Sequence, residues 1–398
     1  MTDQRPEKSP LIFIIITLLL SIVFSLAVAE WVLGYQRKSI ENSEQMDPGL
    51  IQYDTGLGWR LKAGWTGKHH HHDYDASYSI NTDGFRETGK TGKGDGYAIV
   101  GDSFSFGLGV DDEQTFTALL NNKWPLPGQQ RGQQPGQQRA QQPGFVNYSV
   151  PGYSTDQQLL LIDRLAKYSI AKTIEKNIIL VIYLGNDIFD NMLAFPLQAE
   201  HGKPYFILDE DRLTLNNSPV PRSRKDAAAR NTSISSLVLA DDFRQGVIMQ
   251  TLSSLEINRR LNLFQADISL SEKTLEEKFS PALKLTSRLV LEIEKNLSKH
   301  GSSLKVVLLP GRSYVVSPSG VSAQYQEYFR KSLKASLEAP GSIIVLDLAS
   351  YLRELDDQQK AGLYYPYEGH LTPLGHELVA SYLRARLYSA NESYDEYR

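Results

Sequence analysis

The chain contains no cysteine among its 398 residues, which excludes thiol nucleophiles, disulfides and cysteine-ligated zinc together. Histidine is scarce as well: there are eight, and four of them are the consecutive run His69 to His72. Few positions are therefore left for an imidazole that acts as a base. Concentrated basic charge is also missing. Lysine and arginine are dispersed among a slight excess of acids, for a formal net charge of -4, and this leaves no footprint for nucleic acid. What is present, 41% apolar and 22% charged content, can bury a sizeable core and suits one large domain with additions.

One long apolar run stands out. Residues 1–10 form a short polar tail, and Leu11 to Ala29 is almost unbroken apolar sequence that continues through Trp31, Val32, Leu33 and Tyr35. Residues 11–34 are long enough to cross a bilayer as a helix, with aromatics placed for the interface. Ala27-Val28-Ala29 before Glu30 also has the small-x-small form of a signal-peptidase site, so an uncleaved anchor and a secreted chain beginning at Glu30 are both open. Residues 35–52 read as a linker, and folded sequence begins at Tyr53.

The next segment predicts a lead-in hairpin, with Ser77 to Arg86 a strand closing in the Asp83-Gly84 turn. Between its arms, His69 to His72 with Asp73 and Asp75 reads as a solvated loop, because adjacent histidines cannot all face one ion. From Tyr97 strands and helices alternate. Tyr97 to Val100, Phe145 to Ser149, Ile178 to Leu184, Leu304 to Leu309 and Ile343 to Leu348 read as strands, and Thr155 to Tyr168, Ala282 to Leu297 and Leu374 to Leu387 as helices. This is an α/β pattern, a mostly parallel sheet covered on both faces in three layers. Two sections interrupt it. Residues 128–144 repeat Gln-Gln-Arg and Gln-Gln-Pro with glycine and are predicted disordered, and residues from about 195 to 280 form an insertion that starts with a hairpin around Asp209-Glu210-Asp211.

The chemistry-bearing motifs lie where strands end. Ser103 sits in Gly101-Asp102-Ser103-Phe104-Ser105-Phe106-Gly107, directly after an apolar strand. A serine hydroxyl is a poor nucleophile until a base takes its proton and donors await the oxyanion. Three later segments supply such groups: Asn147-Tyr148-Ser149-Val150-Pro151-Gly152, then Gly185-Asn186-Asp187, then Glu368-Gly369-His370-Leu371-Thr372-Pro373. Each alone is an ordinary turn sequence. In this order, over roughly residues 53–387, they resemble the SGNH (GDSL-type) hydrolase superfamily.

That resemblance implies a flavodoxin-like α/β/α domain over residues 53–398. It implies Ser103 as nucleophile and His370 as general base, with the Ser103 backbone, Gly152 and Asn186 as oxyanion donors. In the family an aspartate lies three residues before the histidine. Here that position is Tyr367, so Glu368, or a backbone carbonyl in a serine–histidine dyad, is left to orient the imidazole. His376 is one turn into a helix and reads as a packing or surface residue, and His201 and His300 have no supporting neighbours. No cofactor or metal is implied. Anchored bacterial relatives of this type place the domain outside the cytoplasm, at the inner membrane, and act on acyl esters of polysaccharide or cell-wall glycan by hydrolysis or transfer. The competing expectation is a non-catalytic carbohydrate-binding or assembly component with a degenerate site.

Overall fold

The computed structural model describes residues 10–89, 94–122, 143–167, 177–196, 201–222, 270–318 and 320–395. Most of the low-complexity stretch expected to be disordered, 128–144, and the bulk of the insertion, 223–269, lie outside the described residues; Pro143 and Gly144, the end of that stretch, are not disordered but open a strand of the central sheet. The chain divides into two units, Met1–Glu44 with Leu239–Asp267, and Gln45–Val238 with Ile268–Arg398.

In the first unit, helix α1 (Pro10–Glu41) is long and apolar enough to cross a membrane. At 1.5 Å per residue it runs about 48 Å, more than a hydrocarbon core of about 30 Å requires. The hydroxyls of Thr17, Ser21 and Ser25 each donate to the carbonyl four residues back at 2.8–2.9 Å. No side-chain donor of these three is left for lipid to solvate. Trp31 and Tyr35 stack at 6.2 Å toward its C-terminal end.

The second unit begins earlier than the predicted linker allows. Strand β1 (Gln45–Met46) pairs antiparallel with β4 (Thr66–His71), which pairs with β5 (Tyr74–Ser79), while β2 (Ile51–Asp54) and β3 (Gly58–Leu61) form a separate hairpin. His69 to His71 are therefore strand, not solvated loop, and His72 alone of the run lies in the turn that follows, where it is exposed. His69 and His71 are buried, and His70 points outward to Asp75 at 2.5 Å. Alternation across the pleat separates neighbouring histidines, and His69 is filled in by Tyr74 and Tyr78 at ring distances of 5.1 and 5.7 Å.

The central sheet is β12–β11–β8–β6–β7, parallel throughout. Its members are β6 (Gly94–Val100), β7 (Pro143–Asn147), β8 (Asn177–Tyr183), β11 (Ser303–Leu309) and β12 (Ile344–Leu346), and β9 (Tyr205–Asp209) with β10 (Arg212–Asn216) forms the predicted hairpin. Ile99, Val100, Leu180 and Val306 are fully buried, as strands covered on both faces must be. The short helix α2 (Ser103–Phe106) follows β6, and α3 (Phe116–Asn122), α4 (Thr155–Lys167) and the one-turn α5 (Asp187–Asp190) come next. Helix α6 (Glu272–Ser298) starts ten residues before the predicted helix because Ser271 caps it, accepting from the Thr274 N–H. Then come α7 (Arg312–Val316), α8 (Val321–Glu338), α9 (Leu348–Arg353), α10 (Asp357–Gly362) and α11 (Pro373–Asp395). Helices α4, α6 and α8 pack together as one layer, and α3 against α11 in the other. From β6 the chain moves to one neighbour, β7, and then crosses to the other, β8. That reversal opens a crevice at the carboxyl ends of the strands, where α/β folds place ligands.

Candidate active site

Ser103 stands at that crevice. β6 ends at Val100, Asp102 caps α2 by accepting the Phe104 N–H at 3.0 Å, and after one turn the chain leaves through Gly107. The serine is thus held on a tight turn and not at the head of a long helix. Arg86, wholly buried, fixes the far side of the turn: its guanidinium donates to the carbonyls of Gly107 (3.0 Å) and Val110 (2.7 Å), pairs with Asp112 at 2.7 Å, and lies 4.3 Å over the Tyr78 ring. Burial alone would lower its pKa, and Asp112 works against that loss.

His370 comes from the loop before α11. Its Nε2 lies 2.7 Å from Ser103 Oγ, and its Nδ1 lies 2.5 Å from Glu368 Oε1. The other Glu368 oxygen accepts the backbone N–H of His370 at 3.0 Å. Since a carboxylate only accepts, Nδ1 carries the hydrogen and Nε2 is left as the acceptor for the serine proton. Burial works to raise the Glu368 pKa, but the His370 charge and these hydrogen bonds prevail and hold it below the usual range. Phe104 lies against the imidazole with ring centres 4.3 Å apart and stacks on Tyr183 at 3.9 Å, which closes off other ring positions. Gly369 adopts φ +91°, a left-handed conformation that lets the chain turn sharply between glutamate and histidine.

A partner of this loop comes from the N-terminal hairpin. Asp73, in the β4–β5 turn, accepts the N–H groups of both Tyr367 and Glu368 at 2.9 Å, and its side chain is almost fully buried beside His71. Nothing in the local sequence signals this role except the break of the histidine run by an aspartate.

Gly152 and Asn186 head the loops after β7 and β8, at the same end of the sheet as Ser103. The loop after β7 is sewn to the serine turn by Val150 N–H to the Gly101 carbonyl (3.1 Å) and by Asn147 Nδ2 to the Ser105 carbonyl (2.8 Å). Gly152 has φ +79°, and a Cβ there would come within 3.2 Å of the Trp59 ring. The Trp59 indole N–H donates to the Pro151 carbonyl at 3.0 Å. Asp187 accepts the Tyr183 N–H at 3.0 Å and is pushed well up by burial and by the charge of Asp102. Asp102 is itself pushed up by burial to about 6. Each accepts a backbone N–H of its own loop, Asp102 from Phe104 and Asp187 from Tyr183.

Solved structures that overlay on the chain include TesA (TM-score 0.36, 10% identity, covering 72% of this chain and 94% of that one). A lipolytic protein of the G-D-S-L family from Desulfitobacterium hafniense gives 0.34 and 15%, covering 73% and 98%. The acetylxylan esterase Axe2 from Geobacillus stearothermophilus gives 0.35 and 10%, covering 74% and 94%. No family model and no curated protein matches the sequence. Overlays this loose decide neither reaction nor substrate, which rest on the atoms of the site.

The rival histidine falls outside it. His376 is fully buried, accepts the Phe116 N–H through Nδ1 at 3.2 Å, and is driven by burial to about 3. It is a neutral packing residue. Among the described residues no group of three or more metal-ligating side chains is gathered.

Proposed function

We propose that the protein is an SGNH-type serine esterase or O-acyltransferase working through an acyl-serine intermediate. The observation that carries this is the unbroken line from Ser103 Oγ to His370 Nε2 at 2.7 Å and from His370 Nδ1 to Glu368 at 2.5 Å. In the first half, Ser103 Oγ attacks the acyl carbonyl carbon while its proton passes to Nε2. The carbonyl oxygen becomes an oxyanion facing the Ser103 and Gly152 N–H groups and the Asn186 amide. Collapse expels the alcohol, which takes the proton from Nε2. In the second half, water gives hydrolysis and a sugar hydroxyl gives transfer: each loses its proton to Nε2 as it attacks the acyl carbon, and Nε2 passes that proton to Ser103 Oγ as the acyl–serine bond breaks. Glu368 holds the tautomer and stabilises the imidazolium in both halves.

The substrate class follows from location. A domain tethered by α1 outside the cytoplasm meets acylated polysaccharide or cell-wall glycan. A non-catalytic binding component would have no need of a hydrogen-bonded serine, histidine and glutamate, so that reading is the weaker one. The deciding experiment is labelling by a fluorophosphonate probe together with turnover of p-nitrophenyl acetate. Labelling at Ser103, abolished in Ser103→Ala, is expected. Glu368→Gln should lower kcat by at least about a hundredfold with little change in KM. Undiminished turnover in folded Ser103→Ala would refute the assignment.

A further inference from the structure

Asn186 poses a question of direction. Only one end of a carboxamide donates, and the amide turned the wrong way would present Oδ1 to an oxyanion and repel it. Its Nδ2 donates to Asp190 Oδ2 at 3.1 Å, whereas Oδ1 is buried without a hydrogen-bond partner among the described residues. The two residues bracket one helical turn, Asn186 capping α5 and Asp190 ending it. Nδ2 has two hydrogens, so one bond to Asp190 leaves the other free.

Lys203 reaches the same region from the segment before β9. It is wholly buried, its ammonium is paired with Asp156 Oδ2, and its backbone is fixed by N–H to the Ala194 carbonyl (2.8 Å) and by Asn217 Nδ2 to its own carbonyl (2.7 Å). Asp156 in turn accepts from Ser154 Oγ (2.9 Å) and from the Gln157 N–H (2.7 Å), just beyond Gly152.

We propose that Asp190 is a positioning residue that fixes which end of the Asn186 amide faces the crevice, and that Lys203 keeps Asp190 in the accepting, ionised form. The proposal rests on the esterase reading above. A carboxylate accepts only and therefore selects Nδ2. A protonated Asp190 can donate to the orphaned Oδ1 and so reverse the amide. Four charged groups act on Asp190: Lys203, which favours the carboxylate; Asp156 on α4 and Asp102 after β6, which oppose it; and Asp187 on its own turn, with which it repels mutually. Burial pushes Asp190 up to about 7 even with Lys203 pulling it down. The correct amide orientation is then lost as pH falls through that value.

The test uses the full chain and p-nitrophenyl acetate, with folding checked by thermal melting. Asp190→Leu should lower kcat by about tenfold to a hundredfold at pH 8 with KM within about twofold, as expected for a misdirected oxyanion donor. Asp190→Asn, the same size, should fall between it and the wild type, and is the variant to read if the leucine protein does not fold. Normal kcat in folded Asp190→Leu, or in Asp190→Asn where that is the variant read, overturns the proposal. The role of Lys203 is read from pH profiles. Lys203→Met, made in an Asp156→Asn background so that no buried carboxylate is stranded, should move the acid limb of kcat to higher pH, and should not move it when Asp190→Asn is also present. An equal shift with and without Asp190 overturns the assignment of Lys203. A wild-type protein whose turnover does not depend on Ser103 removes the esterase reading itself, an outcome separate from all of these.

Discussion

One acceptor atom, in the turn between β4 and β5, holds the loop that carries the proposed base. Asp73 Oδ2 gathers the N–H groups of Tyr367 and Glu368, and without it the loop that carries His370 loses two hydrogen bonds, at about 0.5–1.5 kcal/mol each. Asp73→Ala should therefore lower kcat by about tenfold with KM little changed. Asp73→Asn, whose Oδ1 still accepts, should restore most of the rate. The comparison is made by steady-state kinetics on proteins of matched melting temperature, and equal activity in alanine and wild-type proteins would remove the role. The meeting of Ser103, His370 and Glu368 could be anticipated because each sits in a short motif whose residue types suggest a chemistry. Asp73, Asp190 and Lys203 could not be, since their meaning arises only when separate segments fold together. A buried lysine looks like any other lysine in a sequence.

At the scale of elements, an ionic clamp joins three helices outside the site. Glu327 on α8 takes two hydrogen bonds from Arg330 at 2.8 Å and one from Tyr314 on α7 at 2.5 Å, while Arg330 also reaches Asp347, the cap of α9, at 2.6 Å. Burial opposes ionisation of Glu327, but the Arg330 and Tyr314 hydrogen bonds bring it down to about 2. A carboxylate held low contributes stability that is complete above its unfolded value near 4.5 and is lost as pH falls toward 2. Glu327→Gln should accordingly destabilise the fold at pH 7, by about 1–2 kcal/mol once solvent screening is allowed for. The gap to wild type should close in denaturant melts as pH drops below about 4.5. A gap that is constant with pH would show that the packing and not the charge matters. The elements themselves were largely readable: Ile178 to Ile182 is an apolar run and gave a buried strand, and the spacing of Leu159, Ile162 and Leu165 gave a helix. The histidine strand was not, because four identical side chains hide a period of two. Only the structure separates buried His69 and His71 from exposed His70.

For the molecule as a whole, the proposed site of action turns on α1, which is long and apolar enough to cross a membrane. If it anchors the protein, the chain stays with the membrane fraction through an alkaline carbonate wash, and residues beyond about Gln45 are open to protease from outside the cytoplasm. A soluble product beginning at Glu30 would establish cleavage instead, and protection of the domain in spheroplasts would exclude exported glycans as substrates. The architecture was readable from the alternation of strand and helix. The boundary was not, because β1 is only two residues long and is recruited by pairing with the distant β4, so nothing in Gln45-Met46 itself announces a strand.

The hydrogen bond between Ser103 and His370 spans 267 positions of the chain, and this has a consequence for biosynthesis. The ribosome adds the proposed base 267 residues after the proposed nucleophile. At about 5–20 residues per second, the nascent chain carries an inert serine for the whole of that interval. On the mechanism proposed above, catalytic competence arrives in one step, when the loop that carries His370 docks against Ser103. The cell that makes this protein is therefore not exposed to a half-finished esterase.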